Sequence, residues 1–408
     1  MSSQSASSPR LHALDSLRAV MMLLGVVLHG AAPYVATPFA MCPLRDTTTH
    51  PAFDVVLILI HSFRMPVFFV MAGFFAAMLC LERGEAVFIS NRKQRILKPL
   101  LWFGALLFVP TTTGAWWGAH KVGFIPQDLS YLPLAIFMLI KSAWMHLWFL
   151  NHLLWLYAGA VLLRRRGVRP PDAWFRRALE SPFRAVWLGW AAALLMLPMH
   201  TGAIDDSSAL LPLPRVLLFY ALFFGFGWML YRSKDLLELV ARRAWTHLAL
   251  ALALFPWNLR LMQEMAVAGE DADTTLWLAT TTTSGLLAGL LTFAITGLFL
   301  RFLHAYSPSV RYMADASYWI YLVHMPLMVW LTALMATEPL AAGVKFLIGQ
   351  VIAIPLLVLS YHFGVRSTRI GALLNGKRYP RSLPPREPAA APSGAEALRA
   401  KAAQESAG

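Results

Sequence analysis

Long apolar runs recur along the whole chain, each bounded by short polar stretches. A helix that crosses a bilayer needs ~20 mostly apolar residues. Runs of this kind fall near residues 14–35, 55–81, 97–119, 143–163, 183–202, 212–231, 244–265, 275–300, 312–335 and 341–365. The pattern predicts an all-α, polytopic integral membrane protein with about ten transmembrane helices. A further apolar segment, residues 129–141, is too short to span a bilayer, and we expect an interfacial or re-entrant helix on the outer face.

Lysine and arginine residues are distributed unevenly between the loops that join these runs. They are concentrated in loops 82–98, 164–184 and 232–243, in the turn 301–311 and after residue 366, whereas loops 203–211 and 266–274 are acidic. Cytoplasmic loops of membrane proteins carry the excess of Lys and Arg. The alternation therefore predicts that both termini are cytoplasmic.

The two ends of the chain have the composition of disordered segments. Residues 1–10 are rich in Ser, and residues 367–408 are basic and then rich in Pro and Ala. We predict a disordered N-terminus and a largely disordered cytoplasmic tail on either side of a membrane domain at residues 11–366. The first apolar run continues without a cleavage site of small residues, which favours a retained first span over a cleaved signal.

Composition and charge agree with a membrane protein. Of the 408 residues, 58% are hydrophobic and only 14% are charged, whereas soluble domains carry roughly a quarter charged residues. The net charge of +14 would suggest nucleic acid in a soluble protein, but the loop asymmetry accounts for it, so we predict a lipid bilayer and no nucleic acid as partner. Cys42 and Cys80 fall at opposite faces of the predicted membrane, so no disulfide within the chain is expected.

The first apolar run contains an acid, a base and a histidine, in the stretch LDSLRAVMMLLGVVLH. Arg18 and His29 are separated by close to three helical turns and share a face, and Asp15 lies one turn before Arg18. At ~1.5 Å per residue, His29 lies roughly 16 Å deeper in the membrane than Arg18. Ionisable residues inside a membrane are costly and usually face an interior cavity. This stretch therefore predicts a buried site.

Three further runs bring polar groups to a similar depth. These groups are His61 and Arg64 in the second run, His146 and Asn151 in the fourth, and Tyr321 and His324 in the ninth. A single buried histidine is often only a hydrogen-bond partner of a neighbouring helix, but convergence from four helices favours a shared cavity. Arg64 is the costliest of these residues to bury, and it needs a carboxylate or an anionic ligand as its partner. We predict no metal site.

Basic residues also precede the third run, where Arg92, Arg95 and Lys98 have i, i+3, i+6 spacing. The excess of Lys and Arg in cytoplasmic loops, which sets the orientation of membrane helices, already explains basic residues in such a loop. Two arginines one helical turn apart can nevertheless clamp a phosphate with paired donors. The pattern is compatible with an anionic cofactor on the cytoplasmic side, beneath a polar cavity that faces outward.

Three of these motifs together resemble the acyltransferase-3 family of integral membrane O-acyltransferases. They are Arg18-x10-His29, Arg92-x-x-Arg95 and the stretch SYWIYLVHMP at residues 317–326. Within the family, the stretches LDSLRAVMMLLGVVLH, IHSFRMPVFFVMAGFF and HLWFL most resemble the glucan biosynthesis protein C type. Members of that type add succinyl groups to osmoregulated periplasmic glucans.

The resemblance implies an acyltransferase of the bacterial inner membrane. His29 would be the catalytic histidine, with Arg18 and Asp15 as its companions. Arg92, Arg95 and Lys98 would bind the donor, succinyl-CoA or acetyl-CoA, and no cofactor would be bound permanently. An imidazole with an unperturbed pKa of ~6.5 can take a hydroxyl proton at neutral pH. The cavity residues of the second, fourth and ninth runs would orient His29, stabilise an oxyanion or line the acceptor path.

Three functions stay open at this point. The first is transfer of an acyl group, succinyl by resemblance, from cytoplasmic acyl-CoA to a periplasmic glucan, with other glucan biosynthesis proteins as candidate partners. The second is O-acetylation of another envelope polysaccharide or lipid-linked sugar. The third is a proton-coupled transporter that uses the histidines as a relay, although no internal repeat is visible and Asp54 and Asp315 lie at span ends. Direct transfer and an acyl-enzyme intermediate are both compatible with the sequence.

Overall fold

The computed structural model of the protein describes residues 9–39, 45–205, 207–303 and 305–383, and no strand occurs among them. The helices are α1 (Pro9–Ala31), α2 (Ala52–Arg83), α3 (Glu85–Arg92), α4 (Lys98–Lys121), α5 (Tyr131–Lys141), α6 (Trp148–Arg165), α7 (Asp172–Glu180), α8 (Arg184–Met196), α9 (Pro214–Arg232), α10 (Leu237–Arg242), α11 (Ala244–Ala268), α12 (Thr274–Phe302), α13 (Pro308–Met335), α14 (Ala342–Ser360) and α15 (Arg369–Asn375). A π-helical turn, Lys93–Leu97, joins α3 to α4, and a second one, Tyr361–Val365, continues α14. The predicted all-α architecture is confirmed.

Eight helical segments within the described residues are long and apolar enough to cross a membrane. They are His12–Tyr34, Ala52–Arg83, Glu85–Lys121, Tyr131–Arg165, Pro214–Arg232, Thr274–Phe302, Pro308–Met335 and Ala342–Val365. Two further predicted runs form the helices α8 and α11, which fall outside these eight segments by length or composition. The apolar helix α8 has only 13 residues, because Pro198 follows its end and cannot continue the hydrogen-bond ladder. The apolar run of α11 is interrupted by His247, Asn258 and Arg260.

The short apolar segment at 129–141 forms a helix of its own. Helix α5 has 11 residues, and a break at residues 142–147 separates it from α6. Within that break Met145 has a φ of 42°, a left-handed conformation that a non-glycine residue seldom adopts. The expected separate helix is therefore present, and its position at the outer face stays a prediction, as does the cytoplasmic placement of the termini.

Glycines allow the closest helix contacts in the bundle. A Cβ atom at Gly227 of α9 would lie 1.9 Å from the Val70 carbonyl oxygen of α2, and one at Gly73 of α2 would lie 1.9 Å from the Phe224 carbonyl oxygen of α9. Gly285 and Gly289 of α12 approach the backbone of α8 in the same way. In membrane helices, small residues at such contacts let two backbones pack against each other. These contacts fix α2 and α12 within the bundle.

Helices α1 and α13 run side by side in the same direction. Near one end the Arg18 guanidinium donates to the Ala314 carbonyl at 3.3 Å, and three turns further along the His29 ring lies beside the His324 ring. The pair therefore connects two polar regions of the molecule, one at the beginning of α1 and one near its end.

Part of the predicted C-terminal tail is folded against the bundle. Residues 369–375 form α15, and the buried Arg366 guanidinium donates to the carbonyls of Pro380 at 2.7 Å and Ser382 at 3.2 Å. The disorder predicted for residues 1–8 and 384–408 lies outside the described residues. Cys42 also lies outside them, while Cys80 is buried with a free thiol.

Candidate active site

An internal cavity of about 450 Å³ lies among α1, α2, α4, α9 and α13. Four of the residues singled out from the sequence line it, namely His29, His61, Arg64 and His146. We call this cavity the histidine cavity. It contains the predicted groups of the first and second apolar runs and one of the two from the fourth, so the structure brings these parts of the chain together as expected from their depth.

His324 and Tyr321 of α13 lie directly behind the cavity wall. The His324 ring centroid is 5.2 Å from that of His29 and 5.2 Å from that of His146. The Tyr321 hydroxyl donates to the His146 carbonyl oxygen at 2.8 Å. Helix α13 therefore holds the His146 backbone in place and packs a third imidazole against the two that face the cavity.

Hydrogen bonds to carbonyl oxygens identify the tautomers of two of these histidines. A carbonyl oxygen can only accept, so His324 Nδ1, 2.7 Å from the Tyr321 oxygen, and His146 Nε2, 2.9 Å from the Leu322 oxygen, carry protons. In the neutral rings the opposite nitrogens, His324 Nε2 and His146 Nδ1, have lone pairs, and both are buried with no partner among the described residues. Such unsatisfied buried groups are characteristic of functional sites or of bound water.

His29 is half-buried, and in the described part of the chain neither of its ring nitrogens has a hydrogen-bond partner. Its ring is tilted by 43° against that of His324. A neutral imidazole in this setting has one nitrogen available to accept a proton. No three His, Cys, Asp or Glu side chains of the described residues are arranged to hold a metal ion.

Arg64 is 6% exposed and lines the cavity beside these histidines. Its Nε donates to the Met21 carbonyl oxygen of α1 at 3.0 Å. The sequence indicated a carboxylate or an anionic ligand as its partner. Among the residues that the structure describes, no carboxylate forms an ion pair with it.

Asn151 does not line the cavity, unlike the prediction. Its Nδ2 donates to the Leu210 carbonyl oxygen at 3.2 Å, which ties α6 to the loop before α9. The prediction treated His146 and Asn151 as members of one helix. In the structure α6 begins at Trp148, and His146 lies in the preceding 3-10 turn, so helical spacing does not relate the two side chains.

Asp15 and Arg18 lie in a charge network at the opposite end of α1. Asp15 is 2.7 Å from Arg311 and 3.3 Å from Arg18, and Arg311 in turn is 3.4 Å from Asp315. From Arg18 to His29 the helical rise is roughly 16 Å. The structure therefore separates these two residues from the histidine cavity, and any effect they have on His29 acts along α1.

The basic residues before α4 are arranged differently from the predicted helical face. The π-helical turn Lys93–Leu97 adds a residue to the local turn, so Arg92, Arg95 and Lys98 do not follow α-helical spacing. The Arg92 guanidinium packs 4.7 Å from the Tyr157 ring centroid, Arg95 donates to the Asn375 carbonyl oxygen at 2.8 Å, and Lys98 is exposed.

Arg18 and Arg92 both lie close enough to Arg95 for their charges to repel it. We call these three residues the arginine cluster. Arginines in such proximity are suited to binding phosphate groups with several charge-assisted donors. The Tyr318 hydroxyl donates to the Arg95 carbonyl oxygen at 2.6 Å, so α13 supports the arginine cluster as well as the histidine cavity.

The sequence interpretation missed several polar residues of the cavity wall, among them Asp46, Thr111, Thr112 and Tyr220. Asp46 accepts from the buried Lys345 Nζ of α14 at 2.7 Å. A lysine inside the last apolar run is a signal that was present in the sequence, since ionisable residues in membrane helices mark functional or paired positions. The threonines and Tyr220 carry no such signal, because they are common in membrane helices.

Comparison with known proteins identifies the family. Residues 11–362 match the acyltransferase-3 family, described as an acyltransferase domain. Proteins named "Glucans biosynthesis protein C" from Salmonella schwarzengrund (strain CVM19633), Salmonella typhi and Salmonella typhimurium are each 26% identical to the chain over 388 residues, which covers 91% of this chain and 96% of each relative. No solved structure matches the chain.

The family match covers most of the chain, including all four histidines around the cavity and the arginine cluster. It favours an enzyme over the transporter that the sequence left open. The apolar helices that carry these residues make it a multi-pass membrane protein. The chain belongs to the acyltransferase-3 family and is a membrane O-acyltransferase.

Proposed function

We propose that the protein transfers an acyl group from cytoplasmic acyl-CoA to a hydroxyl of a periplasmic glucan, and that this acyl group is succinyl. It would act in the bacterial inner membrane with His29 as general base. One observation carries the proposal. His29, the histidine of the Arg18-x10-His29 motif, faces a membrane-embedded cavity with both ring nitrogens free of partners among the described residues.

The arginine cluster and the histidine cavity lie at opposite ends of α1, which supports a donor that enters from one side and an acceptor that enters from the other. The phosphates of acyl-CoA would bind to Arg92 and Arg95 as charge-assisted hydrogen-bond acceptors. The flexible pantetheine arm would then reach along α1 and present the thioester at His29. Burial of the thioester in the cavity would exclude competing water from the reaction.

In the proposed step, a neutral His29 takes the proton of the acceptor hydroxyl while the hydroxyl oxygen attacks the thioester carbonyl carbon. A C–O bond forms and the C–S bond breaks. The proton on His29 passes to the leaving thiolate, which restores the neutral imidazole and releases CoA as a thiol. We propose direct transfer because a serine nucleophile needs an adjacent base, and the hydrogen bonds of the cavity serines do not supply one. Ser142 and Ser208 bond each other, Oγ to Oγ at 2.6 Å, and the Ser207 Oγ accepts from the Leu213 backbone amide at 2.8 Å.

Mass spectrometry of envelope glycans tests the proposal. A strain that lacks the gene is complemented with the wild-type chain, with His29→Ala or with His200→Ala, an exposed histidine outside the cavity lining. We expect the wild type and His200→Ala to restore a mass increment of one succinyl group on glucans, and His29→Ala to restore none while it still accumulates in the membrane fraction.

Other outcomes of this experiment separate the alternatives. An increment of one acetyl group, or an increment on a different envelope glycan, would replace the proposed donor or acceptor. Full modification by His29→Ala would refute the assignment of His29 as base. Identical glycans in the deletion strain and its parent would refute envelope glycans as acceptors.

A further inference from the structure

Arg64 is a buried cation without a compensating anion among the described residues. Burying a charge is favourable only when a partner compensates for the lost hydration, yet Arg64 makes one hydrogen bond, from Nε to the Met21 carbonyl oxygen, and packs 5.7 Å from the Phe68 ring centroid. The two Nη atoms have no hydrogen-bond partner within the described segments. A buried guanidinium in this state, at the wall of a cavity, points to an anionic ligand.

Neither acidic side chain that lines the cavity is available to it. These two carboxylates are Asp46 and Asp205. Asp46 is paired with Lys345 at 2.7 Å, and Asp205 is paired with Arg215 at 2.6 Å. Arg64 interacts electrostatically with several histidines, which include His29, His61 and His146. Histidine side chains are neutral or positively charged, so none of them can compensate for its charge. Since no carboxylate of the described residues is free to pair with Arg64, its environment points to a compensating charge on a bound molecule.

The guanidinium occupies a defined place relative to His29. It lies directly over Gly25 of α1, where a Cβ atom would be 2.3 Å from Nη2 and 2.9 Å from Cζ. Gly25 and His29 are one turn apart on the same face of α1, with a rise of about 6 Å. Arg64 therefore holds its charge about one helical turn from the proposed base, on the side nearer the arginine cluster.

We propose that Arg64 selects the donor by binding the distal carboxylate of a short dicarboxylic acyl group. In a four-carbon chain of this class, three C–C bonds separate the thioester carbon from the far carboxylate, a distance of roughly 4–5 Å when extended. That length is comparable to the separation between His29 and Arg64 along α1, so an acyl chain that turns back at the thioester toward the arginine cluster reaches the guanidinium. Arg64 is thus a specificity-determining residue of the acyl site, a role that rests on the proposed acyl transfer at His29.

The competing role for the same cation is stabilisation of the oxyanion at the reacting carbonyl, which any acyl group would require equally. The two roles differ in one measurable respect. A carboxylate-binding arginine affects only donors that carry a carboxylate, whereas an oxyanion-binding arginine affects all donors.

A pair of donors of matched length separates the two roles. Full-length protein in lipid nanodiscs is assayed with succinyl-CoA and with butyryl-CoA, which has a methyl group in place of the carboxylate, by release of the CoA thiol in the presence of a glucan acceptor. We expect kcat/KM of the wild type to be about 10- to 100-fold higher for succinyl-CoA, the range for hydrogen bonds to a charged group. In Arg64→Met we expect succinyl transfer to fall by that factor and butyryl transfer to change less than about threefold.

Arg64→Met removes a charge without leaving a charged partner unpaired, so the fold should be retained. If this variant fails to accumulate, the same comparison is made with Arg64→Lys, which keeps a positive charge and should keep part of the preference for succinyl-CoA. Equal losses with both donors, or a wild type that uses both donors equally, would overturn the proposal. If the wild type released no thiol from either donor, the proposed function itself would fail, and His29→Ala would then be indistinguishable from the wild type.

Discussion

The imidazole rings of His29 on α1 and His324 on α13 lie 5.2 Å apart between centroids, and His324 Nδ1 is 2.7 Å from the Tyr321 carbonyl oxygen. The ring of His324 is therefore oriented by its own helix and supports the ring that faces the cavity. The same helix carries Tyr318, which donates to the Arg95 carbonyl oxygen. One helix thus positions both ends of the proposed reaction path.

His324→Ala should weaken catalysis without abolishing it. The substitution removes the ring that packs against His29 but leaves His29 in the cavity, so the base is present and poorly oriented. We expect kcat to fall by up to about 10²-fold, the effect of a small misplacement of a reacting group, with little change in KM for the donor. Steady-state kinetics in nanodiscs measures both parameters. Activity as low as that of His29→Ala would instead place His324 directly in the chemistry.

Gly25→Ala tests whether the position of the Arg64 guanidinium matters. The added Cβ would stand 2.3 Å from Nη2, so the guanidinium must move. We expect transfer of succinyl to fall by about 10²-fold, and the protein to remain in the membrane. Gly159→Ala in α6 is the matched control, because nothing lies within 4 Å of a Cβ atom there. Equal activity of the two variants would show that the cavity tolerates a displaced Arg64.

The convergence around the cavity was predictable because position within an apolar run sets depth, and helical spacing sets the face. That reasoning is enough to place His29, His61 and His146 near one another, since each lies in a helix that continues through the membrane or in a turn at its end. It requires no knowledge of which helices are neighbours. Polar side chains at the same depth in a membrane avoid the lipid, so they face the common interior of the helix bundle.

The structure differs from the sequence-based predictions at a few residues, and each difference has a specific cause. Asn151 was misplaced because a 3-10 turn, rather than the helix, carries His146. The spacing of Arg92 and Arg95 differs from the predicted α-helical spacing because a π-helical turn lies between α3 and α4. Neither departure has a sequence signature, since both depend on how the chain packs. The Arg311 partner of Asp15 is 296 residues away, and no local pattern identifies a contact of that separation.

Arg92→Ala and Arg95→Ala should weaken binding of the donor rather than the chemical step. Each removes a cation of the arginine cluster, whose member Arg18 lies about 16 Å from His29 along α1, so we expect KM for succinyl-CoA to rise about 10-fold or more with kcat little changed. The effect should shrink with dephospho-CoA thioesters if the lost contact is to the 3′-phosphate. Lys93→Ala, an exposed lysine of the same turn, is the control and should behave as the wild type.

Gly227→Ala should destabilise the contact between α2 and α9. Its Cβ would lie 1.9 Å from the Val70 carbonyl oxygen, and because both atoms belong to helix backbones, the two helices must separate. We expect a loss of about 1–3 kcal/mol, typical of overpacking in a closely packed interior, measured as a lower midpoint of thermal unfolding in detergent. Gly225→Ala, on the same helix with nothing within 4 Å of its Cβ, should show no loss. A Gly227→Ala variant as stable as this control would mean that the crossing can widen without cost.

The buried ion pair between Asp46 and Lys345 offers a quantitative test of one part of the cavity wall. Lys345 Nζ is 2.7 Å from Asp46 Oδ1 and 3.2 Å from the Ala336 carbonyl oxygen, so the pair joins the segment before α2 to the beginning of α14. Removing one partner leaves an uncompensated buried charge, and we expect Lys345→Met or Asp46→Asn alone to cost about 3–5 kcal/mol.

The double variant Lys345→Met/Asp46→Asn leaves no charge at this position. Its new side-chain amide oxygen can still accept from the Thr48 backbone amide, as the carboxylate oxygen Asp46 Oδ1 does at 2.9 Å. We therefore expect it to be more stable than either single variant, with a coupling energy of several kcal/mol in the double-mutant cycle. Thermal unfolding of the four proteins in the same detergent gives this coupling. Additive losses would mean that the two side chains act independently.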